Sequence, residues 1–257
     1  MSKIIRVIDL ETTGFDFEKD AICEVGWCDV NLHDDLLGAP AQASIGFYAG
    51  SLINPKQPIP PVASSVHHLI DEDVHNAPSW LGFAETIKLD ADGRNAIAYA
   101  AHNAKFEAGF IKNTLGDLPW ICTYKCALRL WQDAPAHSNM ALRYWRRPDG
   151  LDREVADRAH RAMPDAYVTA FHLRDMINAG TSIDDMIKWS SEPALLIRCH
   201  IGKNRGLLWT EVDEGFLWWL LDKDFDEDVL FTARHELDRR EQERKAEMEA
   251  EGTHGNV

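Results

Sequence analysis

The chain lacks long hydrophobic stretches. No apolar run in its 257 residues approaches the 18 residues that a membrane-spanning helix needs. The apolar stretch within residues 1–9 is also too short for a signal peptide. We therefore expect a cytoplasmic protein that does not contact a membrane. Hydrophobic residues still make up 45% of the chain, which is enough for a buried core and excludes a disordered or collagen-like polymer.

Cysteine is scarce, and the five cysteines are poorly spaced for zinc. They lie at positions 23, 28, 122, 126 and 199, so no C-x-x-C pair occurs. An odd number of cysteines without paired spacing argues against a disulfide framework and makes a zinc site improbable. The pattern favours buried free thiols in a reducing compartment.

Positive charge is also scarce: the chain has 27 Lys and Arg against 42 Asp and Glu, which gives a net charge of −15. Phosphate backbones attract Lys and Arg, so this total argues against a simple basic nucleic-acid binder. The charge is uneven, however. Residues 101–161 and 188–209 each carry +3, while residues 210–257 carry −9. The total therefore does not exclude a nucleic-acid partner.

Apolar and β-branched runs predict five strands and several helices. The predicted strands are residues 4–10, 22–30, 42–53, 96–101 and 120–123, and the predicted helices are residues 105–112, 125–131, 140–146 and 155–176. Trp80, Phe83 and Ile87 recur at helical spacing, and prolines at 55, 58, 60 and 61 predict a loop before them. A strand meander followed by strand–helix alternation predicts an α/β fold with a mixed sheet flanked by helices.

The composition predicts one large domain, a small module and a tail. We place the first domain at residues 1–180, because turn-forming residues follow at 178–182. A Trp-rich module spans residues 188–231, and residues 232–257 form a charged helix that fades into a disordered tail. Trp209, Trp218 and Trp219 are expected in the core of the module, since a small domain needs large side chains.

Two carboxylates stand at the end of the first predicted strand. Asp9 and Glu11 are two residues apart, and alternation places both on one face of the strand. Such a pair is costly unless a cation neutralises it. Thr12, Thr13 and Gly14 then turn the chain and offer backbone N–H groups to a phosphate. Taken alone, such a pair more often consists of solvated loop residues than of metal ligands.

Two further acidic residues lie at predicted helix starts. Glu107 falls in the first turn of the helix after the fourth strand, where the helix dipole favours negative charge. Asp165 opens the helical pattern that ends at 176, with His160 five residues upstream. Each residue alone is consistent with a solvated carboxylate or a structural histidine.

The ordered motifs change this interpretation. Asp9-Leu-Glu-Thr-Thr-Gly, His102-Asn-Ala-Lys-Phe-Glu and His160-Arg-Ala-Met-Pro-Asp resemble the three motifs of the DnaQ-like 3′–5′ exonucleases of the DEDDh type, over about residues 4–177. The resemblance implies an RNase H-like fold with a five-stranded mixed sheet. The stretches at 65–70, 122–123 and 137–142 support it.

The resemblance also implies site roles. Asp9, Glu11 and Asp165 fall on metal-binding positions, and His160 falls on the general-base position. The second motif usually ends in Asp, whereas here it ends in Glu107, which leaves metal geometry and preference open. Oxygen ligands suit Mg²⁺ or Mn²⁺, and two such ions per site are expected to support phosphodiester hydrolysis. A histidine can accept a proton near neutral pH.

Nucleic-acid contacts are assigned more loosely. Thr12 (through its backbone), Thr13 and Asn103 are expected to contact the terminal nucleotide, together with the loop at 66–70, in which either His67 or His68 stacks or hydrogen-bonds, or is a loop histidine without a ligand. The module at 188–231 resembles the small C-terminal module of exodeoxyribonuclease X-like proteins. In its glycine-bracketed turn, Lys203 and Arg205 either contact phosphates or are solvated.

We therefore expect a metal-dependent enzyme that removes nucleotide monophosphates from the free 3′ end of DNA, in DNA repair or phage DNA metabolism. Two alternatives remain: the same chemistry on RNA, which a 2′-OH contact would decide, and a non-catalytic nucleic-acid-binding protein in which Glu107 impairs the site. Binding without divalent metal should be weak and should fall further with salt. The oligomeric state stays open.

Overall fold

The computed structural model describes residues 3–33, 42–88, 96–158 and 160–254, with side chains up to residue 249. The chain divides into two compact units, Met1–Ser191 and Glu192–Val257. In the described parts of the chain, no helix combines the length and apolarity needed to cross a bilayer. All five cysteines are buried free thiols, as their spacing predicts.

A mixed five-stranded sheet forms the centre of the first unit, which confirms the predicted fold class. Its strands are β1 (Lys3–Thr12), β2 (Ile22–His33), β3 (Gln42–Leu52), β4 (Ala96–Ala101) and β5 (Trp120–Cys122). They lie in the order β3-β2-β1-β4-β5. Strands β1, β2 and β3 pair antiparallel, while β4 pairs parallel with both β1 and β5.

Helices cover both faces of this sheet. They are α1 (Pro61–His67), α2 (Asp71–Val74), α3 (Trp80–Lys88), α4 (Ala104–Leu115), α5 (Thr123–Leu130), α6 (Asn139–Arg146), α7 (Arg153–Ala156), α8 (Ala162–Asn178) and α9 (Ile183–Ser191). Helices α3 and α4 share a core with Ile4, Ile8 and Leu10 of β1. Helices α5, α6 and α8 share the opposite core with Ile5 and Val7. The alternation of β1 thus separates two hydrophobic layers.

The predicted proline loop contains a short helix. Pro61 is the first residue of α1, a position where the missing N–H costs nothing because it has no partner within the helix. The other prolines of the run lie outside any helix or strand, and Pro60 is extended, so the loop prediction holds up to Pro60.

The single helix predicted over residues 155–176 is wrong, because the structure has two helices there, α7 and α8. Between them His160 adopts a left-handed backbone (φ 60°) and Arg161 is extended. The cause is tertiary. Gly26 of β2 receives the first turn of α8 so closely that an added Cβ would lie 2.2 Å from backbone atoms of that turn. The apolar period runs through the segment and carries no sign of this contact.

The second unit contains α10 (Glu214–Leu221) and α11 (Glu227–His254). Its core includes Trp209, as predicted. Trp218 and Trp219 are 56% and 44% exposed, so their predicted core position is wrong. Helix α10 buries Leu217 and Leu220, which are three residues apart, and the two residues between them point outward.

The unit boundaries also differ from those predicted. The first unit includes α9, whose Met186 is fully buried in its core, and so extends past residue 180. The predicted start of the tail at 232 falls inside α11. Ala233 and Leu237 of that helix are buried in the second core, whereas the charged residues that follow are largely exposed.

Candidate active site

Two carboxylates extend the inner face of β1 beyond its apolar part. Ile5 and Val7 face the core that α8 covers, and Asp9 and Glu11 continue the same alternation. Oxygen atoms of Asp9, Glu11 and Asp165 lie within 4.8 Å of one another. The structure therefore brings together three of the four predicted metal ligands.

Asp165 reaches this position because α8 begins directly on β2. Its Oδ2 accepts a hydrogen bond from the backbone N–H of His160 at 2.9 Å. Its carbonyl oxygen accepts one from the Asn139 side chain of α6 at 3.1 Å. Its Oδ1 is buried and has no hydrogen-bond donor among the described residues. Asp165 is thus fixed from two sides while one oxygen remains available.

Glu107 lies on the helix that follows the neighbouring strand β4. Because β4 runs parallel to β1, with Ala100 opposite Val7, the carboxyl ends of both strands lie at the same edge of the sheet. Helix α4 starts there and carries Glu107 in its first turn. The side chain is buried, and its Oε2 has no partner in the part of the chain that the structure describes. Glu107 lies outside the cluster of three, although its charge acts on Asp9.

Burial and mutual repulsion oppose simultaneous ionisation of the four carboxyl groups. Burial, followed by the charge of Asp165, raises the pKa of Asp9 well above its usual range. Burial raises the pKa of Glu11 to about 8, that of Glu107 to about 8 and that of Asp165 to about 6. Buried carboxylate oxygens without donors, crowded together, match the ligands of a hard divalent cation. These residues fit Mg²⁺ or Mn²⁺.

His160 lies beside the cluster. Its side chain is exposed, and its backbone is tied to Asp165. The left-handed conformation is uncommon for a residue other than glycine and is held by the contacts of its neighbours. The imidazole is therefore placed at the edge of the acidic cluster with access to solvent.

An ion pair that sequence reasoning missed anchors this segment. Arg161 donates to both carboxylate oxygens of Glu24, and the backbone N–H of Ala162 donates to Oε2 of Glu24 at 3.1 Å. Glu24 is buried and stands opposite Glu11 in the pairing of β1 and β2. A charged residue within the apolar pattern of β2 is the signal that would have found it, because a buried charge requires a partner.

The hydroxyl groups of the two threonines form hydrogen bonds within the protein, and their predicted nucleotide contacts stay a prediction. The Thr12 hydroxyl donates to the carbonyl of Gly14 at 2.6 Å. The Thr13 hydroxyl binds Asp20 and accepts from the Gln57 side chain and the Ala21 N–H. The N–H of Thr13 donates to the carbonyl of Ala21. These groups close the turn after β1, and an N–H that the sequence offered to a phosphate is consumed there.

His67 is likewise buried rather than presented to a ligand. Its side chain is 2% exposed, and Nδ1 accepts a hydrogen bond from the Leu69 N–H. Its Nε2 lies 3.7 Å from the Cys23 sulfur. Burial lowers the pKa of His67, in keeping with a neutral ring. His67 and His68 are the two alternatives for the predicted nucleotide contact; of the two, His68 is exposed, and the contact itself stays a prediction.

Three other predicted contacts are exposed. Asn103 precedes α4 with a left-handed backbone (φ 89°), four residues before Glu107. Lys203 and Arg205 are exposed on the second unit, in and after a 3₁₀ turn at Gly202–Asn204. Their predicted contact with phosphates stays a prediction.

Two exposed aromatic rings follow the β1 turn and were not predicted. Phe15 is 86% exposed and Phe17 is 57% exposed. Their rings rest against Phe106 and Phe110 of α4 at centroid distances of 6.1 and 6.3 Å. Exposed rings beside an acidic cluster provide stacking surfaces for unpaired bases.

Comparison with known proteins gives a consistent result. An exonuclease family of RNase T type matches residues 7–172. Exodeoxyribonuclease 10 of Escherichia coli is 30% identical over 246 residues, which cover 91% of this chain and 99% of the relative. DNA polymerase III subunit epsilon of Treponema pallidum is 29% identical over 171 residues, covering 62% of this chain and 70% of that protein.

Solved structures show the same fold. Exonuclease X in complex with 5′ overhanging duplex DNA superposes with a TM-score of 0.52 at 30% identity, over 73% of this chain and 99% of that one. A zinc-bound E. coli exonuclease I–single-stranded DNA complex has a TM-score of 0.52 at 12% identity, over 72% and 42% of the two chains, which bears on the fold alone.

Proposed function

Because the chain belongs to the exonuclease family and is a 3′–5′ exonuclease, we propose that it hydrolyses the terminal phosphodiester bond at the 3′ end of DNA and releases nucleotide monophosphates. The observation that carries this proposal is the convergence of Asp9, Glu11 and Asp165, with Glu107 beside them. Carboxylates from three sequence-distant motifs meet at one sheet edge and keep buried oxygens without donors among the described residues.

Asp9, Glu11, Glu107 and Asp165 would hold two divalent cations, Mg²⁺ or Mn²⁺. When bound, such cations supply positive charge that stabilises the phosphoryl oxygens in the transition state and lower the pKa of a water. The carboxylates position this charge, and their own repulsion supports cation binding. Glu107 lies outside the cluster of three, and its extra methylene compared with Asp would extend its carboxylate toward the cations from the first turn of α4.

His160 acts as the general base in this proposal. Its imidazole is exposed at the rim of the cluster, where it would accept a proton from the attacking water. The hydrogen bond from its backbone N–H to Asp165 Oδ2 holds the base next to the carboxylates. The Glu24–Arg161 pair holds the residue that follows it. Positioning of the base is therefore a property of the chain between α7 and α8.

DNA is the favoured substrate for two reasons. The E. coli relative is named an exodeoxyribonuclease, and its alignment covers both units of this chain. The related exonuclease X was solved with a duplex that carries a 5′ overhang, and such a duplex has a recessed 3′ end. Exposed Lys203 and Arg205 on the second unit are proposed phosphate contacts. DNA repair or phage DNA metabolism is the proposed setting, and five buried thiols suit a reducing compartment such as the cytoplasm.

The test uses 5′-labelled oligonucleotides. DNA and RNA of the same sequence, each single-stranded and duplex, are incubated with Mg²⁺, with Mn²⁺ or with EDTA. We expect a ladder that shortens from the 3′ end on DNA, loss of activity in EDTA, and no activity from Asp9→Asn. Faster digestion of RNA would replace the DNA proposal with an exoribonuclease. Equal behaviour of wild type and Asp9→Asn would leave the chain as a non-catalytic nucleic-acid-binding protein.

A further inference from the structure

A basic cleft lies on the first unit next to the segment that carries His160. It has a volume of about 420 Å³. It is lined by residues from the end of α6, the following loop and the start of α7: Arg143, Tyr144, Arg147, Pro148, Leu151 and Arg153. Three of the six lining residues are arginines in a chain whose net charge is −15. None of them belongs to the carboxylate site.

The arginines of this cleft differ in what they contact. Arg143 is buried and connects α6 to the end of α7, donating to the Ala156 carbonyl at 2.6 Å and to Asp157 at 3.2 Å. Arg147 and Arg153 are exposed, and within the described ranges neither side chain has an ion pair or hydrogen bond. Two guanidinium groups thus face solvent from a fixed wall.

An exposed aromatic ring completes the wall. Tyr144 is 61% exposed, and the Arg143 guanidinium lies 5.0 Å from the centre of its ring. Of the four acidic residues in the same segment, Asp157 pairs with Arg143 and Asp152 caps α7 by accepting from the Glu154 N–H, while Asp149 and Glu154 are exposed and do not line the cleft. The open side of the cleft therefore presents two cations beside an aromatic face, a combination that suits a phosphate backbone.

Helix α6 connects this cleft to the active site. Asn139, in its first turn, donates to the Asp165 carbonyl, and Arg143, one turn later, lines the cleft. Burial raises the pKa of Asp165 to about 6, and the charge of Arg143 is among the groups that oppose the rise. From Asn139 to Arg146, the last residue of α6, the helix advances about 10 Å. Successive phosphates of one strand rise about 3.4 Å each, so this span covers a few nucleotides.

We propose that this arginine cleft binds backbone phosphates of the nucleic-acid substrate a few nucleotides upstream of the bond that is cleaved. The inference rests on the proposed function, because it concerns how the same substrate is held. Arg147 and Arg153 make the phosphate contacts, and Arg143 positions them. The cleft contributes to affinity for a polymer and contributes nothing to hydrolysis of a ligand that ends at the active site.

The test compares a long and a minimal substrate. The double variant Arg147→Ala/Arg153→Ala is assayed on a single-stranded DNA 20-mer and on the p-nitrophenyl ester of thymidine 5′-monophosphate. We expect KM for the 20-mer to rise about 2- to 30-fold, from two exposed contacts, with turnover of the ester unchanged. The slope of log affinity against log salt should fall by about 0.7 for each phosphate that is no longer neutralised.

A matched control removes two positive charges elsewhere. Lys88→Ala/Lys112→Ala changes the ends of α3 and α4, on the opposite face of the sheet, and should leave KM and the salt slope at wild-type values. Equal rises of KM in both double variants, or a wild-type salt slope in the cleft variant, would overturn the inference. A wild-type protein inactive on both substrates would instead overturn the proposed function.

Discussion

Arg161 joins α8 to the central sheet through Glu24, with its Nε 2.9 Å from one carboxylate oxygen and its Nη2 2.7 Å from the other. The residue before Arg161 is the proposed base, and the residue after it begins the helix that carries Asp165. The carboxylate of Glu24 also accepts from the Ala162 N–H. One side chain on β2 therefore fixes the geometry of both the base and a metal ligand.

Glu24→Gln is expected to lower kcat more than it changes KM. A neutral amide cannot accept both charged hydrogen bonds from Arg161, so the His160 segment loses its anchor. Removal of comparable supporting groups around metal sites costs roughly 10- to 100-fold in activity, and stability should fall by roughly 1–3 kcal/mol. Steady-state kinetics and thermal unfolding measure the two effects.

Glu85→Gln is the matched control for this variant. Glu85 also pairs with a cation, Lys88, but the pair is exposed on α3. Its removal should leave both kcat and unfolding unchanged. If Glu24→Gln retains wild-type kcat although the protein is folded, the ion pair has no role in positioning the base.

The part of the acidic site that depends on strand alternation and strand pairing could be predicted from the sequence. The strand alternation that places Asp9 and Glu11 on one face is a period of two, and the parallel pairing that brings Glu107 to them follows from strand order. The break before Asp165 could not be predicted, since Gly26 and Glu24 impose it across more than 130 residues of sequence. The same limit applies to His67, whose burial depends on contact with β2 at Cys23.

Two variants of Glu107 distinguish the length of its side chain from its charge: Glu107→Asp shortens the side chain and keeps the charge, and Glu107→Gln keeps the length and removes the charge. Glu107 is buried, and its Oε2 has no donor among the described residues. We expect Glu107→Asp to remain active with an altered ratio of Mg²⁺ to Mn²⁺ rates, because the carboxylate retreats by about one C–C bond length. Glu107→Gln should lose on the order of 100-fold in kcat, since metal sites respond strongly to the removal of a charge.

Rates of the two variants in both metals provide the measurement. Glu72→Gln, an exposed change in the first turn of α2, serves as the control with expected wild-type rates. If Glu107→Gln is as active as wild type in both metals, the residue takes no part in cation binding, and the site has only three acidic ligands.

Phe15 is expected to contribute to binding of the substrate end. Its ring is 86% exposed, and its centroid lies 6.1 Å from that of Phe106 at an interplanar angle of 61°, so most of the ring surface is accessible. Stacking of a base on an aromatic side chain contributes about 1–3 kcal/mol, so Phe15→Ala should weaken binding of single-stranded DNA by roughly 5- to 150-fold. Phe15→Tyr keeps the ring and should bind like wild type.

Fluorescence anisotropy in an Asp9→Asn background, where cleavage is expected to be absent, measures this affinity. Leu81→Ala removes an equally exposed apolar side chain from α3 and should have no effect. A drop in affinity in Phe15→Tyr as large as in Phe15→Ala would show that the ring does not stack on a base.

Stability of the cation-free protein should fall as pH rises between about 4.5 and 8. Burial raises the pKa of Glu11 and Glu107 to about 8 in the folded chain. The folded protein therefore holds protons that the unfolded chain has already released. The free energy of unfolding consequently decreases as pH rises. Bound cations should remove this penalty, so the rise in Tm on adding Mg²⁺ should be larger at pH 8 than at pH 5.5.

Glu11→Gln tests the same linkage without metal. The amide carries no charge to desolvate, so the variant in EDTA should unfold at a higher temperature than wild type at pH 8, by about 2–4 °C per kcal/mol relieved. The difference should shrink toward pH 5.5, and the gain from Mg²⁺ should be smaller than in wild type. Glu18→Gln, an exposed change in the turn after β1, supplies the control. A Glu11→Gln protein that is less stable than wild type at pH 8 would mean that Glu11 is ionised and stabilised by partners within the chain, and the acidic cluster would then not need a cation to form.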